Sequence, residues 1–191
     1  MLNLVLFGPP GAGKGTQSEK IIERYKLTHI STGDLFRIHI KNGTILGQRA
    51  QKYMDEGNLV PDEIVIGMVD DKIKSEKNTQ GYLFDGFPRT IPQAQALDNL
   101  LFFKDNPIDT MIALKVDEDE LKKRLLNRGI TSGRPDDQNE EKIANRIAVY
   151  NKETSQVANY YHEQGKYNEV VGVGSIDAIF DDLCNIIEPY I

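Results

Sequence analysis

The segment that most constrains this chain is GPPGAGKGTQ, residues 8–17, which directly follows the apolar residues 4–7. An apolar run, a glycine-rich stretch and a helical pattern in that order predict a buried strand, a tight turn and a helix. Glycine lets consecutive backbone N–H groups converge on an anion, and the N-terminus of the next helix adds positive charge. The segment therefore predicts a phosphate-binding loop in which Lys14 supplies a point charge.

The residue after Lys14 departs from the general phosphate-loop pattern. Gly15 stands where that pattern has Ser or Thr, and Thr16 follows one residue later, so the position of a metal-facing hydroxyl is left open. The competing interpretation is a Gly/Pro-rich turn that binds nothing. The strand before the segment, the helix after it and the lysine favour a phosphate site.

Short apolar segments recur along the chain and alternate with stretches of helical spacing. This alternation is typical of an α/β fold, a parallel sheet flanked by helices with ligands at the carboxyl ends of its strands. We expect a five-stranded sheet. The predicted strands are residues 3–7, 28–30, 82–84, 110–116 and 167–171.

Two stretches interrupt the alternation, and both lie at the predicted ligand-binding edge. Residues 31–81 show only helical patterning, which predicts a small helical subdomain. Residues 129–137 predict a short polar turn between two helices, with the composition of a mobile flap. We hypothesise that Gly129 and Gly133 give this flap its flexibility. The apolar stripe over residues 143–161 then predicts one long helix.

Asp85 ends the predicted third strand and is a candidate metal ligand. In phosphate-loop enzymes a carboxylate at such a strand end holds Mg²⁺ directly or through water. The alternative is an ordinary aspartate in a turn. Because Asp85 lies at the same predicted edge as the phosphate loop, we favour the metal role, with Mg²⁺ held through water.

Six of the eight arginines lie near the predicted cleft or its flap. Guanidinium groups match phosphoryl oxygens in bidentate geometry and stay charged at every relevant pH. A single arginine is better explained by a surface ion pair worth ~0–1 kcal/mol. Six around one phosphate loop predict more than one phosphate-bearing ligand. They are Arg37, Arg89, Arg124, Arg128, Arg134 and Arg146.

Composition limits the classes of partner. The 191 residues suit one medium domain, and the net charge of −6 disfavours a broad nucleic-acid surface. No stretch approaches the ~20 apolar residues that span a bilayer. The single cysteine, Cys184, allows neither an intrachain disulfide nor a cysteine-based zinc site. We expect a cytoplasmic protein without nucleic-acid or membrane partners.

Five ordered motifs between residues 4 and 187 resemble the adenylate kinase family. Residues 8–17 are similar to its phosphate loop, including the glycine directly after Lys14. Residues 31–37, 57–62 and 85–93 are similar to its nucleoside-monophosphate segments. The segment TSGRPDD at residues 131–137, followed by Arg146, resembles its lid in the short form.

The resemblance implies a P-loop NTPase-type fold and the reaction ATP + AMP ⇌ 2 ADP, with Mg²⁺ bound with ATP. It also implies a core of residues 1–30, 61–127 and 138–191. Residues 31–60 would form the nucleoside-monophosphate-binding subdomain, which we call the acceptor subdomain, and residues 128–137 the short lid. A short lid implies no structural zinc. We expect a monomer.

Site residues follow from the same resemblance, position by position. The implied ATP contacts are Gly11, Ala12, Gly13, Lys14, Gly15, Thr16, Arg128 and Gly174. The implied AMP contacts are Thr32, Arg37, Asn58, Leu59, Val60, Gly86, Phe87, Pro88, Arg89, Gln93, Arg134 and Arg146. The implied catalytic residues are Lys14, Arg89, Arg124, Arg134 and Arg146.

Three other functions fit part of the pattern. A UMP or CMP kinase shares the motifs, but Thr32 and Gln93 match the adenine-preferring pattern, and pyrimidine enzymes tend to carry Ala where Thr32 stands. A non-catalytic nucleotide switch explains the glycine loop but gives no reason for Arg89, Arg134 and Arg146 together. An ATP-dependent kinase of a small metabolite does not predict a separate base-binding subdomain.

Overall fold

The computed structural model describes residues 1–103, 105–132 and 134–191. Its five strands form one parallel sheet in the order β2-β3-β1-β4-β5. This confirms the α/β class, and each predicted strand agrees with the observed one to within one residue at either end. The strands are β1 (Leu2–Phe7), β2 (Thr28–Ser31), β3 (Gly81–Asp85), β4 (Thr110–Lys115) and β5 (Tyr167–Val171).

Helices connect the strands and cover the sheet. Within the described residues, no helix is both long and apolar enough to cross a membrane. The helices are α1 (Lys14–Tyr25), α2 (Thr32–Lys41), α3 (Ile45–Asp55), α4 (Asp62–Ser75), α5 (Ile91–Phe102), α6 (Glu118–Ser132), α7 (Glu140–Val149), α8 (Gln156–Glu163) and α9 (Ile176–Ile187).

Strand β1 shows why this sheet is covered on both faces. Successive strand residues point to opposite faces. Val5 and Phe7 pack into one apolar cluster, whereas Leu4 and Leu6 pack into a second. All six residues of β1 are buried, as expected for the central strand of a parallel sheet. The loops that follow the strands therefore lie at one common edge, where the phosphate-binding segment begins.

The insertion between β2 and β3 is helical, as predicted, and contains α2, α3 and α4. Ser31 and Thr44 begin α2 and α3 by accepting hydrogen bonds from the backbone N–H groups of Asp34 and Gly47. Gly47 packs directly against the backbone of His39, so α2 and α3 lie in close contact. The two helices form a compact hairpin beside the sheet edge.

The prediction of a turn over residues 129–137 is wrong in its first part. Helix α6 continues to Ser132, and only Pro135–Asp137 forms a short 3₁₀ turn. Gly129 is buried within α6, where a β-carbon would collide with the backbone of Asp137. The glycine at this position therefore permits close packing. Gly133, the second residue of the flexibility hypothesis, lies outside the described residues.

The predicted long helix over residues 143–161 is divided into two. A π-helical turn at Tyr150–Thr154 separates α7 from α8. Ile143 and Ile147 pack into one apolar cluster, whereas Val157 and Tyr161 pack into the other. A π turn adds a residue to the helical repeat and so rotates the faces that follow it. The apolar stripe is continuous in sequence but serves both parts of the core.

Asn3 gives a test of how the sheet is held together. Its side chain is buried, donates to the carbonyls of Asn106 (2.8 Å) and Pro107 (3.1 Å), and accepts from the N–H of Tyr82 (3.1 Å). Asn3→Ala leaves these backbone groups without that partner, so we expect urea unfolding to show a loss of about 2–3 kcal/mol. The same change at the exposed Asn78 is the control. Equal stability of the two variants would contradict this account.

Candidate active site

A cavity of about 520 Å³ opens at the carboxyl edge of the sheet. Its wall comes from the loop after β1, the end of β3, helix α2, the turn after α3, and helices α6 and α7. Most of the predicted site residues line it. They are Gly11, Ala12, Gly13, Lys14, Gly15, Thr16, Arg37, Asn58, Leu59, Asp85, Gly86, Phe87, Pro88, Arg89, Arg124, Arg128, Arg134 and Arg146.

Four predicted residues do not form part of this wall. Thr32, Val60 and Gln93 are buried behind it, and Gly174 is exposed in the loop after β5. Two of the four directly follow a wall residue in the chain, and a third is hydrogen-bonded to one. Thr32 follows Ser31, which lines the cavity, and Val60 follows Leu59. Gln93 contacts the wall by accepting a hydrogen bond from the backbone N–H of Arg89.

The loop after β1 has the geometry of an anion-binding turn. Gly8 has φ +140°, and a β-carbon there would lie 2.9 Å from the carbonyl oxygen of Leu114, so only glycine fits. Helix α1 begins at Lys14 with no side-chain cap at Gly13, which leaves its first N–H groups open to a ligand. The Lys14 ammonium lies across the loop and donates to the carbonyls of Gly8 (2.8 Å) and Pro9 (3.0 Å).

Burial and like charges weaken the protonation of two cations at the centre of the cavity. Burial lowers the pKa of Lys14 to about 8, Asp85 partly offsets this, and Arg89 and Arg128 lower it further. Burial also lowers the pKa of Arg89 to about 10, and Arg146 adds to the effect. A polyanion that enters the cavity would relieve this repulsion, so the site favours phosphate groups.

Asp137 holds two of the arginines in place. Arg128 donates to it through Nε (2.6 Å) and Nη2 (3.0 Å), and Arg146 donates through Nη1 (2.5 Å). Asp136 forms a further ion pair with Arg146, in which Oδ2 lies 2.8 Å from Nη1. Burial alone would raise the pKa of Asp137, but the bond from Arg128 and the charge of Arg146 hold it below its ordinary value. Asp137 therefore stays charged and fixes both guanidinium groups.

Arg124 connects α6 with the loop after β5. Its Nε donates to Glu120 (2.7 Å), and its Nη1 donates to the carbonyl of Gly172 (2.9 Å). Gly172 lies two residues before Gly174, the predicted adenine contact. Arg124 thus orders the loop at one end of the cavity while its side chain lines the wall.

Residues at the other end of the cavity converge on Gly86. Its carbonyl accepts from Thr32 Oγ1 (2.8 Å) and from Arg89 Nε (2.7 Å). The Gln93 amide accepts from the backbone N–H of Arg89 (2.8 Å) and donates to Asp62 (2.7 Å). Arg89 is therefore held at two points: Gln93 binds its backbone N–H, and the Gly86 carbonyl binds its guanidinium group.

Comparison with known proteins agrees with this geometry. The sequence profile described as "Adenylate kinase" matches residues 6–166. The chain is 50% identical over 188 residues to an adenylate kinase of Bacteroides fragilis, an alignment that covers 98% of this chain and 99% of that one. It is 51% identical over 187 residues to an adenylate kinase of Flavobacterium psychrophilum, with 98% of each chain covered.

The chain belongs to the adenylate kinase family. Membership confirms the family resemblance and the expectation that the protein is an enzyme that transfers phosphoryl groups. It also agrees with the five-stranded parallel sheet and with the phosphate loop, in which Gly15 directly follows Lys14.

The carboxylates that orient the arginines of this adenylate kinase were not assigned a role from the sequence. Glu120 could have been found, because its spacing of four residues from Arg124 places both on one helix face. Asp137 could not, because its contact with Arg146 depends on how α6 and α7 pack. Asp34 pairs with Arg37 one helical turn later. The family motifs contain Asp34, Asp136 and Asp137, but position in a motif does not reveal a contact.

Asp85, the predicted metal ligand, lies at the wall of the cavity. It ends β3, lines the cavity and has its side chain 13% exposed, with His29 Nε2 3.7 Å from one oxygen. Among the described residues, no group of three or more His, Cys, Asp or Glu side chains is arranged to hold a metal. A single carboxylate fits Mg²⁺ that keeps its waters and its phosphate ligands, because Mg²⁺ dehydrates reluctantly.

The lowered pKa of Lys14 predicts a pH dependence of donor binding. Below pH 8 the lysine in the free enzyme carries its charge; above pH 8 it loses the proton that a contact with phosphate would require. We expect MgATP to bind about tenfold more weakly at pH 9 than at pH 7, measured by calorimetry. In Lys14→Met, affinity should be lower at both values and nearly independent of pH. An equally steep dependence in that variant would assign the titration to another group.

Proposed function

We propose that this chain catalyses reversible phosphoryl transfer from MgATP to AMP, giving two ADP, by in-line transfer in the arginine-lined cavity. Family membership supports the reaction. The observation that carries the mechanism is that one cavity contains a phosphate loop and six arginines, more cation than one nucleotide needs. Two polyanions bound end to end would use this charge.

The donor is assigned to the end of the cavity that contains the phosphate loop. The open N-terminus of α1 and Lys14 would bind the phosphates of ATP, together with Arg128. The loop that Arg124 orders, with Gly174, would contact the adenine. Backbone contacts in this subsite come from Gly11, Ala12, Gly13, Gly15 and Thr16.

The acceptor is assigned to the opposite end, between the acceptor subdomain and the end of β3. Arg37 and Arg89 would bind the phosphate of AMP, and Arg134 and Arg146 would approach from the lid. Burial and neighbouring arginines lower the pKa of Arg134, which is the electrostatic setting that an added phosphate relieves. The remaining proposed contacts are Thr32, Asn58, Leu59, Val60, Gly86, Phe87, Pro88 and Gln93.

Catalysis in this arrangement depends on position and charge. Phosphoryl transfer places charge on the equatorial oxygens of the moving group, and fixed cations stabilise that charge without reorganising. Lys14, Arg89, Arg124, Arg134 and Arg146 are proposed for this role. No residue has to act as a strong general base, because alignment of the two nucleotides supplies most of the rate gain.

Water must be excluded during the transfer, or it would accept the phosphoryl group. Closure of a lid is a known behaviour of adenylate kinases. In this chain residues 128–137 are proposed as the lid and residues 31–60 as the acceptor subdomain, with the rest as the core. Asp137 pairs with Arg146, and this ion pair connects the proposed lid to α7 in the cavity wall.

Asp85 is proposed to hold Mg²⁺ through water. When bound with ATP, Mg²⁺ would neutralise part of the charge of the phosphate groups. Asp85 would orient the bound Mg²⁺ from the end of β3. Its negative charge also raises the pKa of Lys14 and so favours the protonated lysine. We further propose that the enzyme works as a monomer in the cytoplasm. The free thiol of Cys184, which is buried, suits a reducing compartment.

The identity of the acceptor is tested by turnover. With MgATP as donor, AMP should react faster than GMP, CMP and UMP in a coupled assay for ADP, because Thr32 and Gln93 match the adenine-preferring pattern. Faster turnover on CMP or UMP would make the chain a pyrimidine nucleotide kinase. ATP binding with no transfer to any monophosphate would support a nucleotide switch.

The role of the buried arginine is tested by truncation. Arg89→Ala removes a fixed cation from the transition state, so we expect kcat/KM for AMP to fall by ~10²-fold or more. Arg24→Ala is the matched control, because Arg24 forms a surface ion pair with Glu188 away from the cavity. A similar small effect for both variants would remove Arg89 from the mechanism.

A further inference from the structure

A short turn of the acceptor subdomain is fastened to the helix that carries Arg146. The turn is residues 56–58, directly after α3. The side-chain amide of Asn145, in α7, donates to the carbonyl of Glu56 (2.7 Å) and to Oδ1 of Asn58 (3.2 Å). One NH₂ group thus bridges two acceptors in the turn, 89 and 87 residues away in sequence.

Gly57 shows how closely this turn lies against α7. It is buried and has φ +75°, a conformation that favours glycine. A β-carbon there would lie 2.9 Å from Cγ of Arg146 and 3.2 Å from the carbonyl of Lys142. The backbone of the turn is therefore in van der Waals contact with the side chain of Arg146. The contact is polar at Asn145 and tightly packed at Gly57.

This contact joins two parts of the cavity wall that belong to different segments. Gly57, Asn58 and Leu59 line the cavity from the acceptor subdomain, and Arg146 lines it from α7. Arg146 is itself held by Asp136 and Asp137. Asn145 is thus a polar link between the acceptor wall and the helix that carries Arg146. Its own side chain is not among the residues that line the cavity.

We propose that Asn145 is a positioning residue for the acceptor nucleotide. It holds the turn of residues 56–58 against α7, so that the wall formed by Asn58 and Leu59 faces Arg146 across one subsite. The inference rests on the proposed assignment of the acceptor site. A protein in which the competent arrangement is less populated binds its ligand more weakly in proportion. Loss of the link should therefore weaken binding of AMP and spare ATP.

The test is Asn145→Ala, compared with Glu141→Ala, an exposed position on the same helix. Loss of two neutral hydrogen bonds should raise KM for AMP about 3- to 10-fold. The KM for ATP and kcat should stay within about twofold, because the phosphate loop and the catalytic cations are untouched. Glu141→Ala should match the parent enzyme in all three quantities. Calorimetric titration with AMP alone should show the same loss of affinity.

Asn145→Asp separates the hydrogen bonds from packing. This variant keeps the size of the side chain but replaces the donor by a carboxylate that faces two oxygen acceptors. We expect KM for AMP to rise at least as far as in Asn145→Ala. A parent-like KM for AMP in Asn145→Asp would overturn the proposal, because it would show that only the shape of the side chain matters.

Arg37→Ala distinguishes failure of this inference from failure of the acceptor assignment. If Arg37→Ala raises KM for AMP and Asn145→Ala does not, the inference is wrong and the acceptor site stands. If Asn145→Ala raises the KM values for AMP and ATP equally, the residue acts on general stability and the inference is again wrong. If Arg37→Ala leaves KM for AMP unchanged, the acceptor assignment fails and the inference fails with it.

Discussion

The arrangement of this site depends on holding like charges together in a partly buried space. Burial lowers the pKa values of Lys14 and Arg89 and neighbouring arginines lower them further, whereas Arg124, Arg128 and Arg146 are each held by a carboxylate. Asp137 binds two guanidinium groups and Glu120 binds a third. The cavity therefore contains oriented cations before a nucleotide arrives, and orientation in advance is what makes electrostatic stabilisation of a transition state effective.

The sheet makes this concentration of charge possible. Helices bury both of its faces, so the strands are fixed by apolar packing and need no contribution from the ligand. Parallel strands end at a common edge, which places the loop after β1 beside Asp85 at the end of β3. The rigid part of the molecule thus supplies position, while the loops and the helices α6 and α7 supply charge.

The sequence predicts the parts of this molecule that depend on local pattern. The strands, the phosphate loop and Asp85 at a strand end all follow from short-range spacing. Contacts between segments do not, because no periodicity encodes them: the π turn at Tyr150–Thr154, the clamp at Asp137 and the hydrogen bonds of Gln93 depend on packing. Gly129 is an example, because composition alone does not distinguish a glycine that gives flexibility from one that allows close packing of two backbone segments.

The tight packing at Gly129 has a further consequence for how the protein can vary. The backbone of Asp137 rests where a side chain at residue 129 would stand. A bulkier residue there would push away the carboxylate that anchors Arg128 and Arg146, although position 129 carries no charge and contributes no side chain to the cavity. Substitution of Gly129 is thus limited by the ion pairs that Asp137 forms in the neighbouring segment. The effect of a larger residue at this position would resemble the loss of an arginine.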